Sequence, residues 1–220
     1  MLWLGRMERK VAIGRRLLIF AVLPLAYVIA GRLGLLLAVP PGYATAVFIP
    51  AGIAVGAMFM AGASALSGIF IGSLLLNLWV GYSIAGRLSA VDTAAAVMIA
   101  LASALQAAVG GSLLRRVIGY PAPLDNPRDL LFLLVLSPLF CPTSASLSLA
   151  GMWALGAVQS SDLPINWMTW WAGDTLGVLV RCRCCSFSPQ SRETCGDHES
   201  GRSPFRCCFA SAYSWRFSSV

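Results

Sequence analysis

Four residues near the end of the apolar part of this chain, Trp167, Trp170, Trp171 and Asp174, stand at i, i+3, i+4 and i+7. On a helix that spacing puts three indoles and one carboxylate on a single face. An acidic group beside aromatic rings suits a cationic or amphipathic ligand, to which the rings add cation–π attraction. The same residues also read as an aromatic belt, because Trp collects where helices cross the membrane interface. Arg32 is the second charge set well inside apolar sequence. A charged side chain at mid-membrane costs roughly 2.5–3.5 kcal/mol on insertion scales, so such residues pair or serve a function. Counted from the expected span ends at about 1.5 Å per residue, Arg32 and Asp174 both lie roughly 10–12 Å below the outer surface. Two readings follow: the two pair across the bundle, or Arg32 snorkels to the interface while Asp174 bonds nearby hydroxyls and amides.

Further polar groups fall inside apolar stretches: Asn77, Ser103, Gln106, Ser144, Ser146 and Ser148. They either line the same interior or serve as inter-helix hydrogen-bonding glue, worth about 0.6 kcal/mol each on average. The run Val39-Pro-Pro-Gly-Tyr-Ala-Thr45, followed by Phe48-Ile-Pro50-Ala-Gly52, breaks regular helix. Non-helical backbone at membrane depth is tolerated only where protein or water surrounds it. A partly inserted outer loop around Pro50 is therefore a second place for an outside ligand to act.

The elements that must carry these residues are membrane helices. Hydrophobic residues make up 58% of the 220 and charged residues only 11%, far from the composition of soluble domains. Six apolar stretches, 17–39, 46–63, 65–81, 91–114, 129–157 and 166–180, predict an all-α polytopic bundle, each span needing about 20 residues. The second and third are short, and Pro138 with Pro142 should kink or break the fifth. The basic, then apolar, start imitates a signal peptide, but its apolar stretch is too long and several more follow, so it reads as a retained first span. Arg6, Arg9, Lys10, Arg15 and Arg16 place residues 1–16 in the cytoplasm, and Arg115, Arg116 and Arg128 agree after an even number of crossings. Gly52-x-x-x-Gly56, Gly68-x-x-x-Gly72 and Gly173-x-x-x-Gly177 fit close helix packing. The net charge of +7 is scattered over span ends and tail, which is no nucleic-acid footprint. The body has no histidine, no phosphate-binding loop and no second intramembrane carboxylate, so neither catalysis nor a cofactor is expected.

Four blocks of this body, in order, resemble the MASE1 family of bacterial membrane-associated sensor domains: Gly31–Gly52, Gly72–Gly81, Leu105–Pro121 and Asn166–Val180. The family usually has Trp-Pro-Pro-Ala-Gly where this chain has Phe48-Ile-Pro-Ala-Gly52. The resemblance, over 17–180, implies a sensory module of the bacterial inner membrane that precedes histidine kinase, diguanylate cyclase or cyclic-di-GMP phosphodiesterase domains. It implies more spans after the Gly-Asp-Thr-Leu-Gly block. The expected partners are the lipid bilayer, a signal molecule or membrane protein, and a second copy of the chain.

At Arg181 the apolar rhythm gives way to Arg-Cys-Arg-Cys-Cys, and 181–220 holds six of the seven cysteines and the sole histidine, His198. Leu codons CTG read one base out of phase give TGC for Cys, and GCG-type Ala codons give CGC for Arg, so the tail reads as frameshifted and disordered. A zinc site on Cys182, Cys184, Cys185, Cys195, His198, Cys207 and Cys208 is the weaker alternative, because paired Cys-x-x-Cys knuckles are absent. The functions in contention are a sensory input module, a small transporter using Arg32 and Asp174, and an inactive fragment.

Overall fold

A computed structural model describes residue 14, residues 17–36, Thr45, and residues 47–119 and 127–186, with residue 18 and residues 181–186 as backbone alone. The described residues are helical, with no strand among them. A π-helical turn (Leu18–Val22) leads into α1 (Leu23–Leu35). Helix α2 (Ile49–Ala61) passes through a 3₁₀ turn (Gly62–Ala65) into α3 (Leu66–Ala85), and α4 (Ala90–Val117) follows. Then come α5 (Pro127–Phe140), α6 (Pro142–Ala154), a 3₁₀ turn (Ser160–Asp162) and α7 (Leu163–Ser186). Three helical stretches are long and apolar enough to cross a membrane: Ile49–Ala85, Ala90–Val117 and Pro127–Ala154. A shorter apolar helix covers Ile19–Leu35.

The element ends differ from the sequence expectation for local reasons. Helix α1 stops at Leu35 rather than 39, and α2 starts at Ile49 rather than 46, because Pro50 occupies the first turn of α2, where a missing N–H costs nothing. Helix α3 runs on to Ala85, where Gly86 takes the left-handed conformation (φ 67°) that ends helices. Helix α4 begins at a capping box: Ser89 Oγ accepts from the Asp92 N–H (3.1 Å), and Asp92 Oδ2 accepts from the Ser89 N–H (3.0 Å). The expected break in the fifth span falls at Cys141, between α5 and α6. Helix α7 does not stop at 180; it continues through Ser186, since extending a formed helix is cheap and no proline comes before Pro189. The tail beyond 186, with Cys195, His198, Cys207 and Cys208, lies outside the described residues, as does most of the Val39–Thr45 run.

Two of the three Gly-x-x-x-Gly pairs set close helix contacts. A Cβ at Gly68 would collide with the Ile19 carbonyl oxygen, and one at Gly72 would lie 2.8 Å from Tyr27 Cβ. Helices α1 and α3 therefore touch backbone to backbone, and they run parallel, since Ile19 meets Gly68 while Gly31 meets Leu76. Helix α4 returns antiparallel to α3, with Ser73 bonded to Ser103. A Cβ at Gly177 would collide with the Phe48 carbonyl oxygen, so the second pair seats the start of α2 on α7. At Gly56 a Cβ would meet nothing within 4 Å.

Helix α2 is the centre of the bundle. Ala51, Val55 and Phe59 pack with Phe140 and Val178, while Ala54 and Met58 pack with Tyr27, Ile69 and Ala107 on the other side. Its start lies against the middle of α7, where the Phe48 N–H donates to the Gly173 carbonyl (2.9 Å). Its end lies at the end of α4, where Arg115 donates from Nε to the Phe59 carbonyl (2.6 Å) and from Nη2 to the Met60 carbonyl (3.0 Å). Thirteen residues at about 1.5 Å each cover roughly 20 Å, too little for a full crossing. Helix α2 is thus a half-length helix that begins inside the bundle. Gly62, which ends it, has φ 69°, and a Cβ there would lie 3.2 Å from Arg115 Nη1.

The other internal break is closed in a comparable way. Pro142 has no N–H to offer the carbonyl four residues back, that of Pro138. The Trp171 indole N–H donates to that carbonyl instead (3.0 Å). Trp171→Phe, which keeps a ring of similar shape but no donor, is expected to destabilise by about 1–3 kcal/mol, the usual cost of an orphaned buried acceptor. In a Pro142→Ala background the restored backbone N–H should supply that carbonyl, and the cost of Trp171→Phe should shrink. Equal costs in both backgrounds, measured by reversible unfolding in detergent, would remove this account of the Trp171 bond.

Candidate functional site

Asp174 sits one residue after the glycine that receives Phe48, and only 2% of its surface is exposed. Gln106 from α4 and Ser144 from α6 face its carboxyl group. Gln106 is itself 3% exposed and holds its Nε2 against Cys141 Sγ at 3.7 Å. The Cys141 thiol, unpaired and buried at the α5–α6 break, meets the Thr175 hydroxyl. Tyr27 of α1 lies within electrostatic range of Asp174, and its hydroxyl meets Ser73 of α3 and Ser103 of α4. Ser73 Oγ donates to Ser103 Oγ (3.2 Å), and Asn77 Nδ2 donates to the Ser73 carbonyl (2.8 Å). The result is a polar centre to which α1, α3, α4, α6 and α7 all contribute, enclosed by apolar helix surfaces.

Four buried side-chain oxygens among the described residues have no hydrogen-bond partner: Asp174 Oδ1, Gln106 Oε1, Ser148 Oγ and Thr45 Oγ1. All four residues are at least nine-tenths buried. Ser148 lies one turn beyond Ser144 on the same inward face of α6, while Ser146 points away and accepts from the Trp167 indole N–H (3.0 Å). Thr45 lies beside Gly34 on α1, ahead of the start of α2.

Of the residues singled out in the sequence, Gln106 and Asp174 come together in this centre, while Asn77 lies a turn beyond Ser73 and bonds its carbonyl. Pro50 is buried in the first turn of α2. The three tryptophans share a helix face but do not surround the carboxyl. Trp167 and Trp171 stack on each other (centroids 5.9 Å apart, planes at 21°), Trp171 is bonded to Pro138, and Trp170 packs against the Ala95, Ile99, Met152 and Val158 cluster. Their role in the fold is to tie α7 to the kinked α5–α6 arm.

Arg32 and Asp174 are not brought together. The Arg32 guanidinium lies over the Trp79 indole, 4.7 Å from the ring centre, and no ion pair joins it to Asp174 among the described residues. The two also differ in depth. Trp79 is six residues beyond Ser73 toward the C-terminal end of α3, Ser73 is level with Ser103, and Gln106 is three residues past Ser103 in the opposite direction. Nine residues of helix rise amount to roughly 13 Å. The equal depths expected from sequence came from span ends that shifted in opposite directions: α1 ends three residues after Arg32, and α7 starts eleven residues before Asp174.

Sequence reading missed Tyr27, Ser73 and Cys141 as members of the centre. The available signal was a tyrosine in mid-span, whose hydroxyl must find a partner when buried. Phe48 was noted only as a neighbour of Pro50, yet its ring meets Tyr27 edge-on (6.2 Å, 78°) and its backbone is bonded to Gly173. It touches both the polar centre and α7.

The geometry predicts how pairs of substitutions will combine. Arg32→Ala and Trp79→Leu should be non-additive by about 0.5–1 kcal/mol, the worth of an exposed cation–π contact. Arg32→Asp with Asp174→Arg should not rescue the single reversals; recovery of stability in that double variant would overturn the placement of Arg32.

A family model, MASE1, matches residues 17–184 of the chain. The match therefore runs from the first turn before α1 to within two residues of the end of α7, past Arg181. No curated protein matches the chain, and no solved structure does.

Proposed function

The chain belongs to the MASE1 family of membrane-associated sensory domains, and on that premise we propose that it is the input module of a bacterial signal-transduction protein. In this reading it sits in the inner membrane with residues 1–16 in the cytoplasm, and it passes a signal through α7 to an output such as a histidine kinase or a cyclic-di-GMP enzyme. The module itself reads a signal and performs no catalysis.

The observation that carries the proposal is the contact of Phe48 with α7. Signalling requires a packing arrangement that differs between two states and biases the output. Phe48 links the buried polar centre, through Tyr27, to the backbone of the last helix, through Gly173 and Gly177. Any change in the centre that moves Phe48 must move α7 relative to α2, because the Gly177 contact leaves no space between them. Six crossings fit the same geometry. Parallel α1 and α3 require one return between them, and each later helical arm reverses the one before.

Two measurements test this reading. Reporter fusions active only in the periplasm or only in the cytoplasm should place 1–16 and 120–126 inside and Arg87 and 159–162 outside; the opposite assignment at either inner segment would break the six-crossing topology. With an output domain joined in helical register to α7, Phe48→Ala and Gly177→Leu should shift basal output while the protein still inserts. Output unchanged by both substitutions would remove Phe48 as the link. A half-length helix beside an intramembrane carboxylate also occurs in transporters; substrate flux in proteoliposomes, abolished by Asp174→Asn, would favour that reading.

A further inference from the structure

The orphan oxygens around Asp174 have a common chemistry. Asp174 Oδ1, Gln106 Oε1 and Ser148 Oγ come from three different helices, are all nearly inaccessible, and none has a partner. Gln106 Nε2 meets the Asp174 carboxyl and also reaches Cys141 Sγ at 3.7 Å, while its Oε1 is left over as an acceptor. The other intramembrane charge, Arg32, is over Trp79, so no cationic side chain reaches the carboxylate from the described helices. An ionised carboxylate with no counter-charge is among the most costly groups to bury. The Gln106 and Ser144 side chains meet the carboxyl, yet Asp174 Oδ1 and Gln106 Oε1 stay without partners, and a positive centre that accepts carboxylate, amide and hydroxyl oxygens would satisfy them.

We propose that Asp174, Gln106 and the Ser144–Ser148 face of α6 form a binding site for a small monovalent cation, sodium foremost. The choice follows from charge and donor type. A single carboxylate neutralises one positive charge, whereas a divalent ion would leave a buried net charge. The donors are carboxylate, amide and hydroxyl oxygens, which suit hard cations. An organic ammonium would need aromatic walls or open volume, but Trp171 is bonded to Pro138, Trp167 stacks on it, and Ser148 and Cys141 have no exposed surface. Tyr27 and Cys141 are the other titratable groups facing the carboxyl, and both are neutral donors in their ordinary forms. The site lies where the half-length α2 begins, next to the Phe48–Gly173 bond. This deepens the sensory reading, since an ion bound there would act on the contact proposed to carry the signal.

The test uses the full chain in lipid nanodiscs, with unfolding followed by tryptophan fluorescence as sodium chloride replaces choline chloride at constant ionic strength. A ligand that binds only the folded state raises the midpoint with the logarithm of its concentration once above its Kd. We expect a saturable rise with sodium, retention of radioactive sodium by the protein, loss of both in Asp174→Asn, and at least tenfold weaker binding in Gln106→Leu. Gln106→Glu, which adds a second carboxylate, should move the preference from sodium to calcium. If Asp174→Asn does not fold, Gln106→Leu and Ser148→Ala carry the same test. Identical unfolding in the two salts with no retained sodium would overturn the site, as would an Asp174→Asn protein as stable as the parent that retains sodium equally well. These readouts need no output domain, so failure here is separable from failure of the signalling reading, which the output fusions test.

Discussion

Inside a bilayer no water reaches the backbone, so each N–H and C=O freed by a break in a helix must be satisfied from within the protein. This domain has breaks at both ends of α2 and between α5 and α6, and each is met by a specific neighbour. Gly173 of α7 accepts the Phe48 N–H at the start of α2, Arg115 of α4 donates to the Phe59 and Met60 carbonyls at its end, and Trp171 donates to Pro138. The helices are therefore joined at their irregular points by directional bonds. Apolar surface alone would not do this, because lipid tails satisfy leucine as well as another helix does.

That constraint places the polar centre. Helix α2 begins inside the bundle, and its entry brings Phe48 onto α7 beside Asp174. Glycines at 173 and 177 allow this entry to lie directly on α7; a side chain at 177 would collide with the Phe48 carbonyl. Asp174, between those glycines, is held at the same junction. Close backbone packing and the buried carboxylate are thus two consequences of one short motif.

The tryptophans illustrate how residue type and spacing leave the partners of a side chain open. Three indoles on one helix face suggested either a ligand cage or an interfacial belt. In the structure they are cross-links: Trp167 to Ser146, Trp171 to Pro138, and Trp170 into the apolar cluster of α4 and α6. Each uses its polar or apolar portion on the kinked arm. The kink itself was legible, because prolines at 138 and 142 cannot both sit in an unbroken helix; the donor that repairs it was not.

The amino-acid sequence by itself determined the material of the domain: apolar helices, a chain break at the Pro138–Pro142 pair, family membership from four ordered blocks, and the position of Asp174 and Gln106 within apolar stretches. These depend on composition and local propensity, which a bilayer reads directly. Only the tertiary structure decided that Gln106 and Asp174 share a centre with Tyr27 while Arg32 stands apart over Trp79, and that the start of α2 is seated on α7. Those facts depend on where each helix starts and on how far neighbours slide past one another. A shift of three or four residues at the ends of α1 and α7 moves a charge by a full turn, and glycine contacts between backbones, which no single-helix pattern encodes, set the final register.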